Sequence, residues 1–556
     1  MTSAPPATDR KGSFGVDLIA GLTAAAVVIP KAMAYATVAG LPVVVGLYTA
    51  FVPMVVYAFL GSSKVMNVST TTTLAILTGA QLALAVPDGD PARLLTAAAT
   101  LAVLTGLLLM LDGVLRLGVV ANFISDPVLT GFKAGIGLVI VLDQVPKLLG
   151  VHFKKADFFH NLWALAQSLP HTSMLALGIG VAVILVLVVI ERLLPKLPAP
   201  LLALGGAIGA SAAFGLSARG IETVGLIPRG FPSFVLPDLD LMRQLLPGAA
   251  GIALMSFVES IAVGRAFART DEPPVRANRE LLATGAANLG GAFFGSMPAG
   301  DGTSQTALVR AVGGRSQTAS LVTAATALLV MLLLAPVLGL IPNSALAALV
   351  IVYSVGLIKP AEFMAIRKIR TMEFRWAMAA CLAVPVFGTL QGIVLAIGIS
   401  LLAMLARASN PRLSILGRKP GTDVFRPNTP EHPEDETFPG LLLVRPEDRI
   451  FFGNVQTIRE RLGALVEEKK PKVLGIDMRI VPDIEYSALK VLIEAEKKAA
   501  DFGVRLWLIG LSSEVLLVVQ RSGLADRLGR EGMFFNCQAA VTRYLSLPAP
   551  EPPKQA

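Results

Sequence analysis

The chain has 556 residues, of which 54% are hydrophobic and only 16% charged, and its mean hydropathy is +0.67. A soluble domain is nearer a quarter charged, so composition excludes a chain solvated by water alone and points to a polytopic membrane protein. The net charge of +9 fits basic cytoplasmic loops rather than nucleic-acid contact, and Cys381, Cys537, His152, His160, His171 and His432 lie too far apart to make a disulfide framework or a metal site.

The N-terminal segment 1–15 is short, polar and Pro-rich, without the basic, apolar and small-residue regions of a signal peptide. Apolar segments follow near 16–36, 43–60, 69–86, 94–111, 119–142, 172–190, 199–217, 246–268, 280–296, 303–312, 317–340, 343–358 and 374–406. Many approach the ~20 residues a helix needs to cross a bilayer. The last is too long for one span, and Pro385, Gly388 and Gly392 break it into a hairpin of two short helices. The predicted fold class is therefore an α-helical polytopic membrane protein with about fourteen transmembrane segments, the third and tenth short.

Basic loop residues set the orientation. Arg116, Arg192, Lys196, Arg265, Arg269, Arg276, Arg279, Arg310, Arg315, Lys359, Arg367, Lys368 and Arg370 fall on one side. Asp88 and Asp90 fall on the other, with Lys147, Lys154 and Lys155 as exceptions. Both termini are predicted cytoplasmic, in a multi-pass protein of the cell (inner) membrane.

After Arg407 the character changes. Residues 408–438 read as a polar, Pro-rich linker. From 439 to 548, LLLVRP, KVLGIDM and VRLWLIG read as buried strands alternating with amphipathic helices, which predicts a small cytoplasmic α/β domain. Residues 549–556 read as a disordered tail. The transmembrane domain is bounded at 16–407, with repeat one near 16–217 and repeat two near 246–407.

The repeat rests on two stretches. AFLGSSKVMNVSTTTTLA, from Ala58, aligns without a gap on AFFGSMPAGDGTSQTALV, from Ala292, placing Thr72 on Thr306 and Leu74 on Leu308. Each leaves an apolar helix, passes a Gly- or Pro-bearing bend and opens a short helix with Ser or Thr. Short, interrupted segments at corresponding places in two halves point to a transporter binding site. Irregular backbone at membrane depth is tolerated where it lines a cavity. A helix starting there presents unpaired N–H groups and about +0.5 charge, and two such ends with hydroxyl donors make an anion site. The competing reading has the hydroxyls bonding back onto their own helices.

The run IPKAMAYATVAGLPVVVGLYTAFVPMVVYAFLGSSK resembles the N-terminal signature of the sulfate permease (SulP) / solute carrier 26 family of anion transporters. FISDPVLTGFKAGIGLVIVLDQVPKLLG resembles its fifth helix, FVESIAVGRAFA its eighth, and the C-terminal α/β unit its STAS domain. The resemblance implies a 7+7 inverted repeat with core and gate domains, alternating access and a homodimer. It implies a small anion, from sulfate and bicarbonate to chloride, oxalate and dicarboxylates, held between the N-termini of helices three and ten. The substrate residues expected there in this chain are Lys31, Tyr35, Ser69, Thr70, Thr71, Thr303, Ser304, Gln305 and Thr306, with Glu259 of the eighth helix as coupling residue and no cofactor or metal.

Three departures matter. Ser69 and Thr70 stand where the family usually has Gly-Pro, Gln305 stands where helix ten commonly has Arg, and Lys31 follows Pro30 where many members have Gln or Glu. The positive charge of the site is thus expected to have moved from helix ten to helix one. A cation in an apolar segment costs about 2.5–3.5 kcal/mol and needs a partner, here the substrate or Glu259; snorkelling to the interface is the alternative. Sodium-coupled members follow the eighth-helix acid with a hydroxyl one turn on, where this chain has Val263, so proton symport or anion exchange is expected ahead of sodium coupling. In the STAS unit, Glu485 and Tyr486 replace the usual Asp-Ser/Thr phospho-switch pair, leaving a structural or assembly role. A sulfate-type oxyanion is the expected substrate. A bicarbonate or dicarboxylate symporter and a channel-like conductor on the same fold remain open, whereas an enzyme lacks a nucleophile–base pair in the spans.

Overall fold

The computed structural model describes residues 9–118, 125–153, 157–194, 197–269 and 272–547. Most of the predicted N-terminal segment, the tail and the loop residues Lys154, Lys155 and Lys196 lie outside them. The chain forms two compact units, residues 1–401 and 402–556.

The first unit is helical. It begins with α1 (Asp9–Val38), α2 (Val43–Leu60), the two-residue β1 (Val68–Ser69), α3 (Thr72–Ala85), α4 (Pro91–Val114), α5 (Asp126–Leu149), α6 (Phe158–Ser168), α7 (Met174–Leu193) and α8 (Ala199–Phe214). It continues with α9 (Leu239–Ala266), α10 (Ala277–Ala292), β2 (Gly300–Asp301), α11 (Thr303–Val312), α12 (Thr318–Leu333), α13 (Ala335–Leu338), α14 (Asn343–Val355), α15 (Pro360–Ile369), α16 (Thr371–Phe387) and α17 (Thr389–Ala408). Among the described residues, seven helical stretches are long and apolar enough to cross a membrane, and shorter apolar helices accompany them. The expected eighth and tenth spans are α9 and α11.

Local chemistry sets the ends of these helices. Asp90 caps α4 by accepting from Arg93 N at 3.0 Å, with Pro91 supplying the first turn. The terminal hairpin breaks at Gly388, whose φ of +91° suits glycine; Pro385 sits inside α16 and Gly392 inside α17.

Packing divides the helices into two groups. In one, α1 and α2 pack on α12, α4 and α2 on α10, and α3 and α4 on α9; in the other, α5 packs on α16 and α14, and α7 on α14 and α8. The α4–α10 crossing depends on a glycine pair: a Cβ on Gly106 would lie 2.7 Å from Gly285 O, and one on Gly285 would lie 2.8 Å from Gly106 O. Small residues permit this close approach, which dispersion then stabilises.

The second unit is a six-stranded sheet, β3 (Leu413–Arg418), β4 (Phe425–Pro427), β5 (Leu441–Pro446), β6 (Val473–Asp477), β7 (Arg505–Ile509) and β8 (Met533–Phe534), in the order β4-β3-β5-β6-β7-β8. β5 to β8 are parallel, while β3 is antiparallel to β4 and β5. One face buries α18 (Val455–Lys469), α19 (Tyr486–Asp501), α20 (Ser513–Arg521) and α21 (Leu524–Leu528), and the other buries α22 (Cys537–Leu545). The span 408–438, read as linker, in fact contributes β3 and β4. Leu416 and Phe425 are buried in the sheet's core, a short alternation masked by the Pro and Gly around it. Buried Asp477 is gripped by Arg445 (2.6 Å) and Arg479 (2.9 Å). Burial raises its carboxyl, but the two guanidiniums more than offset this and hold it below the usual carboxylate range.

Candidate anion site

The site is built where the two interrupted helices meet. β1 and β2 pair antiparallel, Val68 opposite Asp301 and Ser69 opposite Gly300. α3 begins after the N-cap Thr71, whose hydroxyl accepts from Leu74 N at 3.3 Å, and α11 begins after the N-cap Gly302. Gln305 Nε2 donates to Ser69 Oγ at 2.9 Å, tying the two helix starts together. The first N–H groups of two helices, with their partial positive charge, therefore converge on one region.

Lys31 brings a full charge to it. The side chain lies in α1, only 4% exposed. Its Nζ donates to Ser304 Oγ at 3.1 Å and sits 3.8 Å from the centroid of the Tyr353 ring on α14. Thr303 and Ser304, the first two residues of α11, are exposed, so the helix tip is reachable. Thr70 and Thr306 are fully buried, and neither hydroxyl has a hydrogen-bond partner. Buried hydroxyls ordinarily find partners; these two lie beside the helix starts. Tyr35, one turn beyond Lys31, is buried within reach of the Thr72 side chain.

Two expectations change. Glu259 does not pair with Lys31: its carboxylate accepts from Thr71 Oγ1 at 3.0 Å, because the N-cap geometry of α3 turns that hydroxyl toward α9. The ungapped repeat alignment is also out of register at the helix starts. The first helical residue of α3, Thr72, answers to Thr303, the first of α11, and not to Thr306. Two residues separate β1 from α3 where Gly302 alone separates β2 from α11. Sequence reasoning passed over Tyr353, which reads as an ordinary core aromatic, and Asp301, which in GDG reads as a turn residue.

Two helical groups, joined to a paired-strand centre at which half-helices present their N-termini to a buried lysine, define a membrane transporter fold. Residues 14–380 match the sulfate permease family and residues 432–540 the STAS domain. The chain belongs to the sulfate permease family, a family of transporters, and is an anion transporter. It is 32% identical over 532 residues to the probable sulfate transporter Rv1739c of Mycobacterium tuberculosis, covering 95% of each chain. It is 30% identical over 551 residues to sulfate transporter 4.1, chloroplastic, of Arabidopsis thaliana, covering 95% of this chain and 80% of that one. In fold it matches the overall structure of SLC26A9 with a TM-score of 0.88 at 23% identity, over 96% of this chain and 91% of that one. It also matches the transmembrane domain of the cyanobacterial bicarbonate transporter BicA with a TM-score of 0.60 at 24% identity, over 70% of this chain and 96% of that one.

Proposed function

We propose that the protein is a secondary active transporter of a sulfate-type oxyanion across the cytoplasmic membrane. It works by alternating access as a homodimer with both termini cytoplasmic. The anion sits between the N-termini of α3 and α11. Lys31 supplies the charge that Gln305 does not, Ser304 and the free hydroxyls of Thr70 and Thr306 donate to the oxyanion, and Ser69, Thr71, Thr303 and Tyr35 complete the shell. The observation that carries this reading is Lys31 Nζ bonded across to Ser304 at the tip of α11, a cation placed where two helix ends already favour negative charge. Relatives that share nearly the whole chain are named sulfate transporters, which favours sulfate over bicarbonate or a dicarboxylate.

Coupling is to protons. Val263, one turn after Glu259, is buried in an apolar cluster and offers sodium no side-chain oxygen. Glu259, bonded to the cap of α3, transmits coupling between the site and α9. The test is labelled-sulfate uptake into proteoliposomes of the purified full-length chain, with and without an inward acid gradient and with simultaneous current recording. Gradient-driven, saturable uptake displaced by excess cold sulfate supports the reading. Uptake that follows voltage alone would make it a conductor, and displacement by bicarbonate or dicarboxylate in place of sulfate would reassign the substrate.

A further inference from the structure

One buried acid has no role in the site as described. Asp301 is the second residue of β2, 1% exposed, and neither carboxylate oxygen has a hydrogen-bond partner. Among the described residues, neither a hydrogen bond nor an ion pair reaches it. Val68 of β1 stands opposite. From α9 come Glu259 and Ser260, whose hydroxyl faces the carboxyl without closing a hydrogen bond. From α10 comes Glu280, and from α2 Tyr57. Lys133 of α5 acts on Glu259.

The two neighbouring acids differ from Asp301 in being served. Glu280 accepts from the Tyr57 hydroxyl at 2.5 Å, from Ser62 N at 2.7 Å and from the Ser62 hydroxyl; Glu259 accepts from Thr71. On the paired strand, the corresponding second residue is Ser69, whose hydroxyl is spent on Gln305.

We propose that Asp301 is the proton-binding group of the transport cycle, neutral in the state that takes the anion and ionised in the state that releases it. This rests on the anion site proposed above and assigns its coupling ion to an atom. A carboxylate buried among acids, with no hydrogen bond closed on it, is disfavoured as an ion, and this packing favours its neutral form. It also lies two residues ahead of Thr303, at the helix end that receives the anion. Ionised, it would cancel the field of the α11 N-terminus; neutral, it leaves that field intact. Proton and anion therefore bind cooperatively, and by linkage each raises the other's affinity by the same factor. The transfer is a single proton from water to a carboxylate oxygen, with no other bond changed. A dianion entering with a proton also brings less net charge into the low-dielectric centre.

The experiment measures labelled-sulfate binding to the purified full-length protein from about pH 5.5 to 9, a range that buried carboxyls cover. Wild type should lose affinity with rising pH by up to about tenfold per pH unit, the limit for one coupled proton. Asp301→Asn should bind at every pH as tightly as wild type does at the acidic end and should lose acid-driven accumulation in proteoliposomes. Asp301→Ser, matching the size of Ser69, is a second neutral variant should the first not fold. A pH dependence persisting in either folded variant overturns the assignment, as does its loss in Glu259→Gln with retention in Asp301→Asn. Sulfate binding by wild type that is indifferent to pH overturns it as well. Failure of wild type to bind sulfate at any pH instead removes the anion-site reading on which it stands.

Discussion

Replacing Lys31 with Met isolates the charge from the volume it occupies. Nζ is 3.1 Å from Ser304 Oγ and almost wholly buried, so little water screens it. A hydrogen bond to a charged group contributes about 1.5–3 kcal/mol. A unit charge about 4 Å away adds about 4 kcal/mol at an effective dielectric near 20, partly offset by the desolvation of the anion. A net loss of about 2–4 kcal/mol corresponds to roughly 30- to 1,000-fold weaker sulfate binding. The fold should respond in the opposite sense, because a buried cation at membrane depth is itself unfavourable by about 2.5–3.5 kcal/mol and Met keeps a similar stem. The contact with the Tyr353 ring, 3.8 Å from Nζ, would pass from cation–π to sulfur–aromatic, a smaller change. The assay pairs equilibrium sulfate binding with thermal unfolding of the same detergent-solubilised sample. Loss of binding with an unchanged or raised unfolding temperature is expected. Binding within about threefold of wild type would refute the reasoning, since no arrangement with Lys31 at the anion could lose so little.

Four further outcomes follow from named contacts. Thr71→Ala removes both the cap of α3 and one partner of Glu259, so it should lower stability by about 1–2 kcal/mol with Thr71→Ser restoring it, read by thermal unfolding; an unchanged midpoint would deny the cap. Arg445→Met leaves Asp477 with Arg479 as its guanidinium partner and should destabilise the β5–β6 region by up to about 3 kcal/mol, seen as faster hydrogen exchange of its peptides. Because the folded carboxyl is held low, the stability it contributes is present above its unfolded value near ~3.9 and is lost as pH falls through the lower folded value. Cys537 is buried against Asp477, and burial followed by that negative charge pushes its thiol up to about 12. It should therefore resist iodoacetamide at about pH 8, and rapid labelling detected by mass spectrometry would contradict the packing of α22.

Much of this molecule was legible because the bilayer punishes exceptions. Long apolar runs gave the spans, and Lys31 was conspicuous as a cation among them. The Ser/Thr clusters marked the starts of α3 and α11 because hydroxyls serve N-caps. What escaped was short or doubly readable. α6, with FFHNLWALAQS capped by Asp157, is too short and polar to read as a span, and α15 reads as a basic loop until Pro360 is seen to open a helix. β1 and β2 have two residues each, too few for any alternation, so their pairing and the true register of the repeat came only from coordinates. Glu259 was one of two candidate partners for Lys31, beside the substrate, but sequence carries no information on which way a capping hydroxyl turns, and that of Thr71 turns to Glu259.

The central claim is that an oxyanion rests between the N-termini of α3 and α11. The most direct test is a structure of the full-length protein with selenate, whose selenium scatters anomalously. A selenium peak within hydrogen-bonding reach of Lys31 Nζ, Ser304 Oγ and the hydroxyls of Thr70 or Thr306 is the expected result. Selenate bound elsewhere in the membrane unit, with Lys31 still closed on Ser304, would contradict it.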